Sequence, residues 1–64
     1  MAEMPFREAK EHAIQHFHVQ YIRRLLEQHG GNISRAAEAA GIQRQYLHRL
    51  IREAGIEATD FKMK

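Results

Sequence analysis

The segment GGNISRAAEAAGIQRQYLHRLIREAGI, residues 30–56, predicts two short helices separated by a tight turn. Its alanine-rich first part favours a helix over residues 33–40. Gly41 ends that helix, because glycine adopts the left-handed conformation of helix ends at little cost. Apolar residues then recur at the i, i+3, i+4 spacing of an amphipathic helix over residues 44–54, and Gly55 is its expected stop.

The side chains around this turn match a helix-turn-helix, in which two helices meet at about 90 to 120° across a short turn that contains glycine. Asn32 or Ser34 is the expected N-cap of the first helix. Helices that cross steeply need small side chains where they touch and apolar side chains that fill the angle between them. The residues that supply these features are Ala36, Ala37, Ala40, Gly41, Ile42, Leu47 and Leu50.

A longer helix is predicted ahead of this corner, from about residue 6 to residue 29. Pro5 suits a helix start, and Gly30 and Gly31 suit its end. At about 100° per residue, its apolar side chains form two stripes instead of one. One stripe contains Phe6, Ala9, Ala13 and Phe17, and the other contains Ile14, Tyr21, Ile22, Leu25 and Leu26.

Two stripes imply two partners. We expect the C-terminal half of this helix to pack on the rest of its own domain. The N-terminal half, which no other element of the chain is long enough to cover, is expected to contact a second copy of the chain. The predicted fold is therefore all-α and homodimeric, with a long dimerisation helix followed by a helix-turn-helix over residues 6–56. An alternative is a kink near Phe17 or His18 that folds the helix back on its own chain. Residues 1–5 are expected to be disordered or derived from cloning, and residues 57–64 to be a frayed tail.

Size and composition restrict the possible functions. With 64 residues, of which 44% are apolar, the chain forms one small domain, and most self-contained enzymes are larger. The absence of cysteine excludes disulfides and thiolate metal sites, so that oligomerisation is the remaining means of stabilisation. No apolar run approaches a membrane span, and the first residues lack a secretion signal, so we expect a cytoplasmic protein.

Positive charge is concentrated in the predicted corner. Residues 33–52 contain four arginines and one glutamate, a net charge of +3, and since the whole chain carries +2, the remainder carries −1. Arginine favours planar, forked recognition of phosphate or guanine over simple solvation. The alternative is an ordinary charged helix face.

Residues Gly30 to Ile42 and Arg44 to Ile56 resemble the Fis-type helix-turn-helix that ends the NtrC-type bacterial enhancer-binding activators, and the resemblance extends over about residues 6–56. It implies a homodimer that recognises an inverted repeat in upstream double-stranded DNA. In full-length relatives, the domain delivers an ATPase to RNA polymerase carrying the alternative sigma factor. Because ATPase and receiver regions are absent here, we expect an excised C-terminal domain of an NtrC-type response regulator of a two-component system, bound to the nucleoid and without enzymatic activity.

The second helix of such a motif enters the major groove, and its exposed residues near the N-terminal end read bases. The candidates are Gln43, Arg44, Gln45, Tyr46, His48 and Arg49. Arg44 can bind guanine with two hydrogen bonds, Gln43 or Gln45 can bind adenine, and Tyr46 can contact a thymine methyl or a phosphate. The resemblance agrees at Ser34, Arg44, His48 and Arg49. It departs at Gln43, where asparagine is usual, and at Tyr46, where a small hydroxyl residue is usual.

Phosphate contacts are expected from Ser34 and Arg35 on the first helix and from Arg49 or Arg52 further along. Two alternatives stay open at this point. Tyr46 would simply shield the hairpin, and Arg52 would pair in solvent near Glu53.

Two histidines of the long helix have the spacing of metal ligands, but a third ligand is missing. His12 and His16 lie one helical turn apart and could share a divalent ion, but no third ligand stands at a suitable spacing, so we expect no metal and no cofactor. The alternative role is a polar flank of the dimer helix that makes self-association sensitive to pH. Two rival functions remain: a protein-interaction module that uses the long helix, and a free-standing, Fis-like DNA-bending protein.

Overall fold

The computed structural model describes residues 4–57, which form three α-helices. Helix α1 spans Phe6–Gln28, α2 spans Ile33–Ala40 and α3 spans Arg44–Ala54. The all-α prediction with a long first helix is confirmed, and each helix begins and ends within one residue of the expected position. The expectations of a disordered start and a frayed tail fall mainly on residues 1–3 and 58–64, which lie outside the described residues.

Helices α2 and α3 end in the same closed turn. At the end of α2, Gly41 has a φ of +73°, and the Ile42 N–H donates to the Ala37 carbonyl at 3.0 Å. Gly55 and Ile56 end α3 in the same way, with the hydrogen bonds of a Schellman motif, and Gly55 is the predicted stop of this helix. Only glycine enters the left-handed region at little cost, so Gly41 sets the sharp change of direction between α2 and α3.

The start of α2 is fixed by Asn32. Its side-chain oxygen accepts a hydrogen bond from the Arg35 backbone N–H at 3.0 Å. Of the two candidates that the sequence offered, Asn32 is therefore the cap and Ser34 lies within the first turn. Helix α3 begins differently, because Gln43 at its N-cap makes no capping hydrogen bond with its side chain.

All three helices contribute to a single core. Ala36 and Ala37 are buried where α2 meets α3, and Leu26 and Leu47 are fully buried. The small alanine side chains let the two helices of the corner approach closely, while Leu47 fills the angle. The complete set of buried apolar residues is Ile22, Leu25, Leu26, Ala36, Ala37, Leu47 and Ile51. The predicted corner is confirmed, with Ala40, Ile42 and Leu50 partly buried around the core.

Helix α1 packs on this core only through its C-terminal part. The predicted packing of the C-terminal half is confirmed by Ile22, Leu25 and Leu26. The assignment of Ile14 and Tyr21 to the same stripe as these residues is wrong, because their side chains are 44% and 43% exposed. Ile14 and Tyr21 lie about 40 to 60° from Phe17 around the helix but about 80 to 100° from Ile22, so they share the outer face. The Tyr21 ring lies beside the Phe17 ring, with centroids 5.5 Å apart. The kink alternative is also wrong, because α1 is unbroken through Phe17.

Candidate nucleic-acid interface

Helix α3 divides its residues cleanly between core and solvent. Leu47 and Ile51 are buried on one side. The six residues predicted to read bases are all exposed: Gln43, Arg44, Gln45, Tyr46, His48 and Arg49. They occupy the N-terminal part of the helix, where a recognition helix contacts base edges. The packing of α3 therefore leaves a polar, arginine-containing face available for a ligand, and Tyr46, which is 48% exposed, lies on it.

The beginning of α2 lies beside the beginning of α3. Ser34, Arg44 and His48 line one open surface groove, together with the turn that joins α1 to α2. A predicted phosphate-contacting residue and two predicted base-reading residues are therefore brought to the same surface.

The start of α2 adds backbone donors to this groove. The N–H groups of the first turn of any helix have no partner within the helix, and the helix dipole makes this end positive. Asn32 takes up the Arg35 N–H, while Ile33 and Ser34 line the groove itself. Backbone N–H groups at a helix start are common phosphate contacts in protein–DNA complexes. The groove can therefore hold a phosphate through both side chains and main chain.

His29 also lines this groove and was not anticipated as a site residue. It is the C-cap of α1 and is partly buried. It immediately precedes Gly30 and Gly31, which both have positive φ. The double glycine that follows His29 indicates that this residue lies at a turn. Residue spacing does not indicate that the turn lies beside Arg44 and His48.

The arginines differ in their partners. Arg49 donates from Nε to the Glu53 carboxylate at 3.1 Å, one turn further along α3, and both side chains are largely exposed. In the structure it is Arg49, and not Arg52, that pairs with the Glu53 carboxylate. Within residues 4–57, Arg35, Arg44 and Arg52 are exposed and form no ion pair. Their guanidinium groups are therefore available to an anionic partner.

The outer face of α1 carries the residues predicted for dimerisation. Phe6 is 80% exposed and Phe17 is 58% exposed, and Ala9 and Ala13 are exposed as well. Ile14 and Tyr21 also lie on this face, although the sequence analysis assigned them to the other stripe. Their angular distance from Phe17, about 40 to 60° around the helix, already indicated a shared face. We call this surface the outer stripe, and it consists of Phe6, Ala9, Ala13, Ile14, Phe17 and Tyr21. In a small protein, aromatic rings exposed in a row indicate an interaction surface.

His12 and His16 lie to one side of the outer stripe. They line a shallow depression with Glu11 and Gln15. In the part of the chain that the structure describes, no three histidine, aspartate or glutamate side chains are grouped so as to hold a metal ion. None of the described helices is long and apolar enough to cross a membrane.

Comparison with known proteins agrees with this architecture. The family model described as "Bacterial regulatory protein, Fis family" matches residues 19–53, from the second half of α1 through nearly all of α3. The chain is also 40% identical over 53 residues to the nitrogen assimilation regulatory protein NtrX of Azorhizobium caulinodans. That match includes 83% of this chain but only 11% of the relative, and no solved structure matches significantly. The chain belongs to the Fis family of bacterial regulatory proteins, and its helix-turn-helix is a DNA-binding domain of the Fis type.

Proposed function

We propose that the chain binds double-stranded DNA in a sequence-specific manner, with α3 in the major groove. The observation that carries this proposal is the exposed face of α3, on which Arg44, Gln45 and His48 stand clear of the core. Arginine and glutamine form paired hydrogen bonds with guanine and adenine, so this face has the chemistry of direct base readout. Phosphate contacts come from Ser34 and Arg35 at the start of α2.

The DNA-binding unit in this proposal is a homodimer formed through α1. A single helix-turn-helix neutralises few phosphates, and two recognition helices about 34 Å apart would bind successive major grooves of an inverted repeat. The outer stripe supports this arrangement, because it lies on the side of α1 away from the core. Burying Phe17 and Tyr21 against a second copy would remove their apolar surface from water.

For the parent protein, we propose an NtrC-type transcriptional activator that works with the alternative sigma factor and responds to a receiver domain. The present chain would be its C-terminal DNA-binding domain, non-catalytic, and would act on the nucleoid in the cytoplasm. The support is the similarity to a nitrogen assimilation regulator together with the length of the match, which includes only 11% of that relative.

The decisive test is binding selection from a random duplex pool, followed by titration of the recovered duplex at several salt concentrations. We expect the recovered duplex to contain an inverted repeat. We also expect the logarithm of the binding constant to fall linearly with the logarithm of the salt concentration, with a slope of about −0.9 for each neutralised phosphate. A slope near zero, or no recovered consensus, would contradict the proposal. A slope near zero would favour the rival protein-interaction module. Salt-dependent binding without a consensus would favour the rival DNA-bending protein.

A further inference from the structure

One hydrogen bond ties the exposed half of α1 to the recognition helix. The Gln15 side-chain Nε2 donates to the backbone carbonyl of Glu53 at 3.3 Å. Within residues 4–57, it is the only side-chain hydrogen bond that joins two helices, since the others are a helix cap and an ion pair within α3. The bond therefore connects the helix proposed to mediate dimerisation directly to the helix proposed to read bases.

The acceptor is one that the end of α3 leaves open. The last carbonyls of a helix lack partners within it, and the Schellman turn provides for two of them. Gly55 donates to the Arg52 carbonyl, and Ile56 donates to the Ile51 carbonyl. Within residues 4–57, the Glu53 carbonyl is among those that accept no main-chain hydrogen bond, and Gln15 donates to it from the neighbouring helix. Gln15 thus acts as a cap supplied from outside α3.

The position of Gln15 along α1 gives this bond mechanical importance. Every residue of α1 before His18 is exposed, and the first buried residue is Ile22. Gln15 lies about 10 Å from Ile22 along the helix axis, at 1.5 Å per residue. A helix attached only at its end can swing about that attachment. A second attachment about 10 Å further along restricts its direction.

We infer that Gln15 is a positioning residue that fixes the angle between α1 and α3, and through it the half-site spacing that the dimer accepts. The inference rests on the proposed function, because the spacing exists only if two copies bind DNA through α3. Two recognition helices about 34 Å apart each lie about 17 Å from the dimer axis. A swing of about 10° in both copies would move each helix by about 3 Å and change their separation by up to about 6 Å, the rise of nearly two base pairs.

The experiment measures the affinity of the full chain for the selected inverted repeat with zero, one or two base pairs added to or removed from the spacer. For the unsubstituted chain, we expect affinity to fall about tenfold for one base pair of altered spacing, and for Gln15→Ala only about threefold or less. Binding to a single half-site should be equal for both. Gln28→Ala is the matched control, since Gln28 is an exposed glutamine of α1 without a hydrogen bond to another helix in the described residues.

Gln15→Lys provides the rescue. Its ammonium group can donate to the same carbonyl and is favoured at the negative end of α3, so we expect it to restore most of the spacing preference. A residue that served only stability would leave the spacing profile unchanged when the overall affinity is normalised. Melting curves followed by circular dichroism establish that each variant is folded.

Distances between spin labels test the angle without DNA. The chain has no cysteine, so Glu38→Cys on the exposed side of α2 gives one label per copy. We expect Gln15→Ala to broaden the distribution of label distances in the dimer. If Gln15→Ala left the distribution of label distances unchanged, or gave a spacing profile as sharp as that of the unsubstituted chain, this inference would be wrong and the proposed function would still stand. If the unsubstituted chain bound no duplex, the proposed function would fail, and the inference about spacing would fail with it.

Discussion

The α2–α3 corner and the first half of α1 differ in how their apolar residues are used. In the corner, Ala36, Ala37 and Leu47 are buried within the chain, while most residues facing outward are polar, with Tyr46 as the one large exception. In the first half of α1, no residue is buried, and Phe6 and Phe17 face solvent. The apolar side chains of the corner are buried within the chain itself, whereas the first half of α1 has exposed apolar surface that another molecule can cover.

The two regions are therefore stabilised in different ways. The corner depends on contacts among α1, α2 and α3 and on turns closed by glycine. The first half of α1 depends on helix propensity and on the proposed second copy, because a helix in a protein gains most of its stability from packing one face on another element. Substitutions in the two regions should therefore have different consequences, the first for folding and the second for association.

The largest effect is expected in the corner, from Leu47→Ala. Leu47 is fully buried between the helices, and its truncation should cost about 2 to 5 kcal/mol of unfolding free energy. Domains of this size rarely exceed about 3 to 5 kcal/mol in stability, so most of the protein should be unfolded at room temperature. Urea titration followed by circular dichroism measures the change.

Gln45→Ala is the control for this loss, because Gln45 is an exposed residue of the same helix. Its unfolding free energy should stay within about 0.5 kcal/mol of that of the unsubstituted chain. Equal stability of the Leu47→Ala and Gln45→Ala variants would mean that the corner is not the folding core, and the contrast between the two regions would fail.

A charge on the outer stripe should separate association from folding. Phe17→Glu would place a carboxylate in the proposed dimer interface, where burial of an unpaired charge is costly. We expect dimerisation to weaken about 100-fold, equivalent to about 2.8 kcal/mol, with the corner still folded. Sedimentation equilibrium measures the association.

His12→Glu adds a charge to another side of the same half of α1, and it should change association much less. If the two substitutions weakened association equally, the outer stripe would not be the contact surface. A chain that is monomeric before substitution would refute the dimer itself.

Within the corner, base reading and phosphate binding should also separate. Arg44→Ala is expected to cost about 1 to 3 kcal/mol on the selected duplex and to relax sequence preference, because Arg44 lies in the N-terminal turn of α3. Arg35→Ala, on α2, should weaken all sequences alike and reduce the salt slope by about one. Titrating specific and random duplexes with both variants measures this, and identical behaviour of the two would refute the assigned roles.

The corner was predictable because its determinants are local. Gly41 requires a turn, the neighbouring alanines require a close approach, and the spacing of Leu47 and Ile51 defines one helix face. Each feature involves residues within one or two helical turns. Helix boundaries and the buried face of α3 consequently follow from the sequence.

The outer face of α1 and the contacts between helices were less accessible. Ile14 and Tyr21 were grouped with Ile22 because apolar residues that spread around a helix can be divided in more than one way. The position of α1 on the corner decides the division, and that position depends on non-local packing. The Gln15 bond to Glu53 joins residues 38 positions apart, and no periodicity indicates such a pair.

The smallest expected effect concerns the Arg49–Glu53 ion pair, which tests how far the exposed face of α3 contributes to folding at all. Exposed pairs one helical turn apart contribute about 0.3 to 0.5 kcal/mol, and both side chains here are largely exposed. A double-mutant cycle of Arg49→Ala and Glu53→Ala in urea titrations should give a coupling energy in that range at low salt and almost none at high salt. On the DNA side, Glu53→Ala should increase affinity for all duplexes, because it removes a negative charge and releases the Arg49 guanidinium toward a phosphate. A coupling energy well above 1 kcal/mol would show that this face stabilises the corner, and the division of α3 into a folding side and a binding side would be wrong.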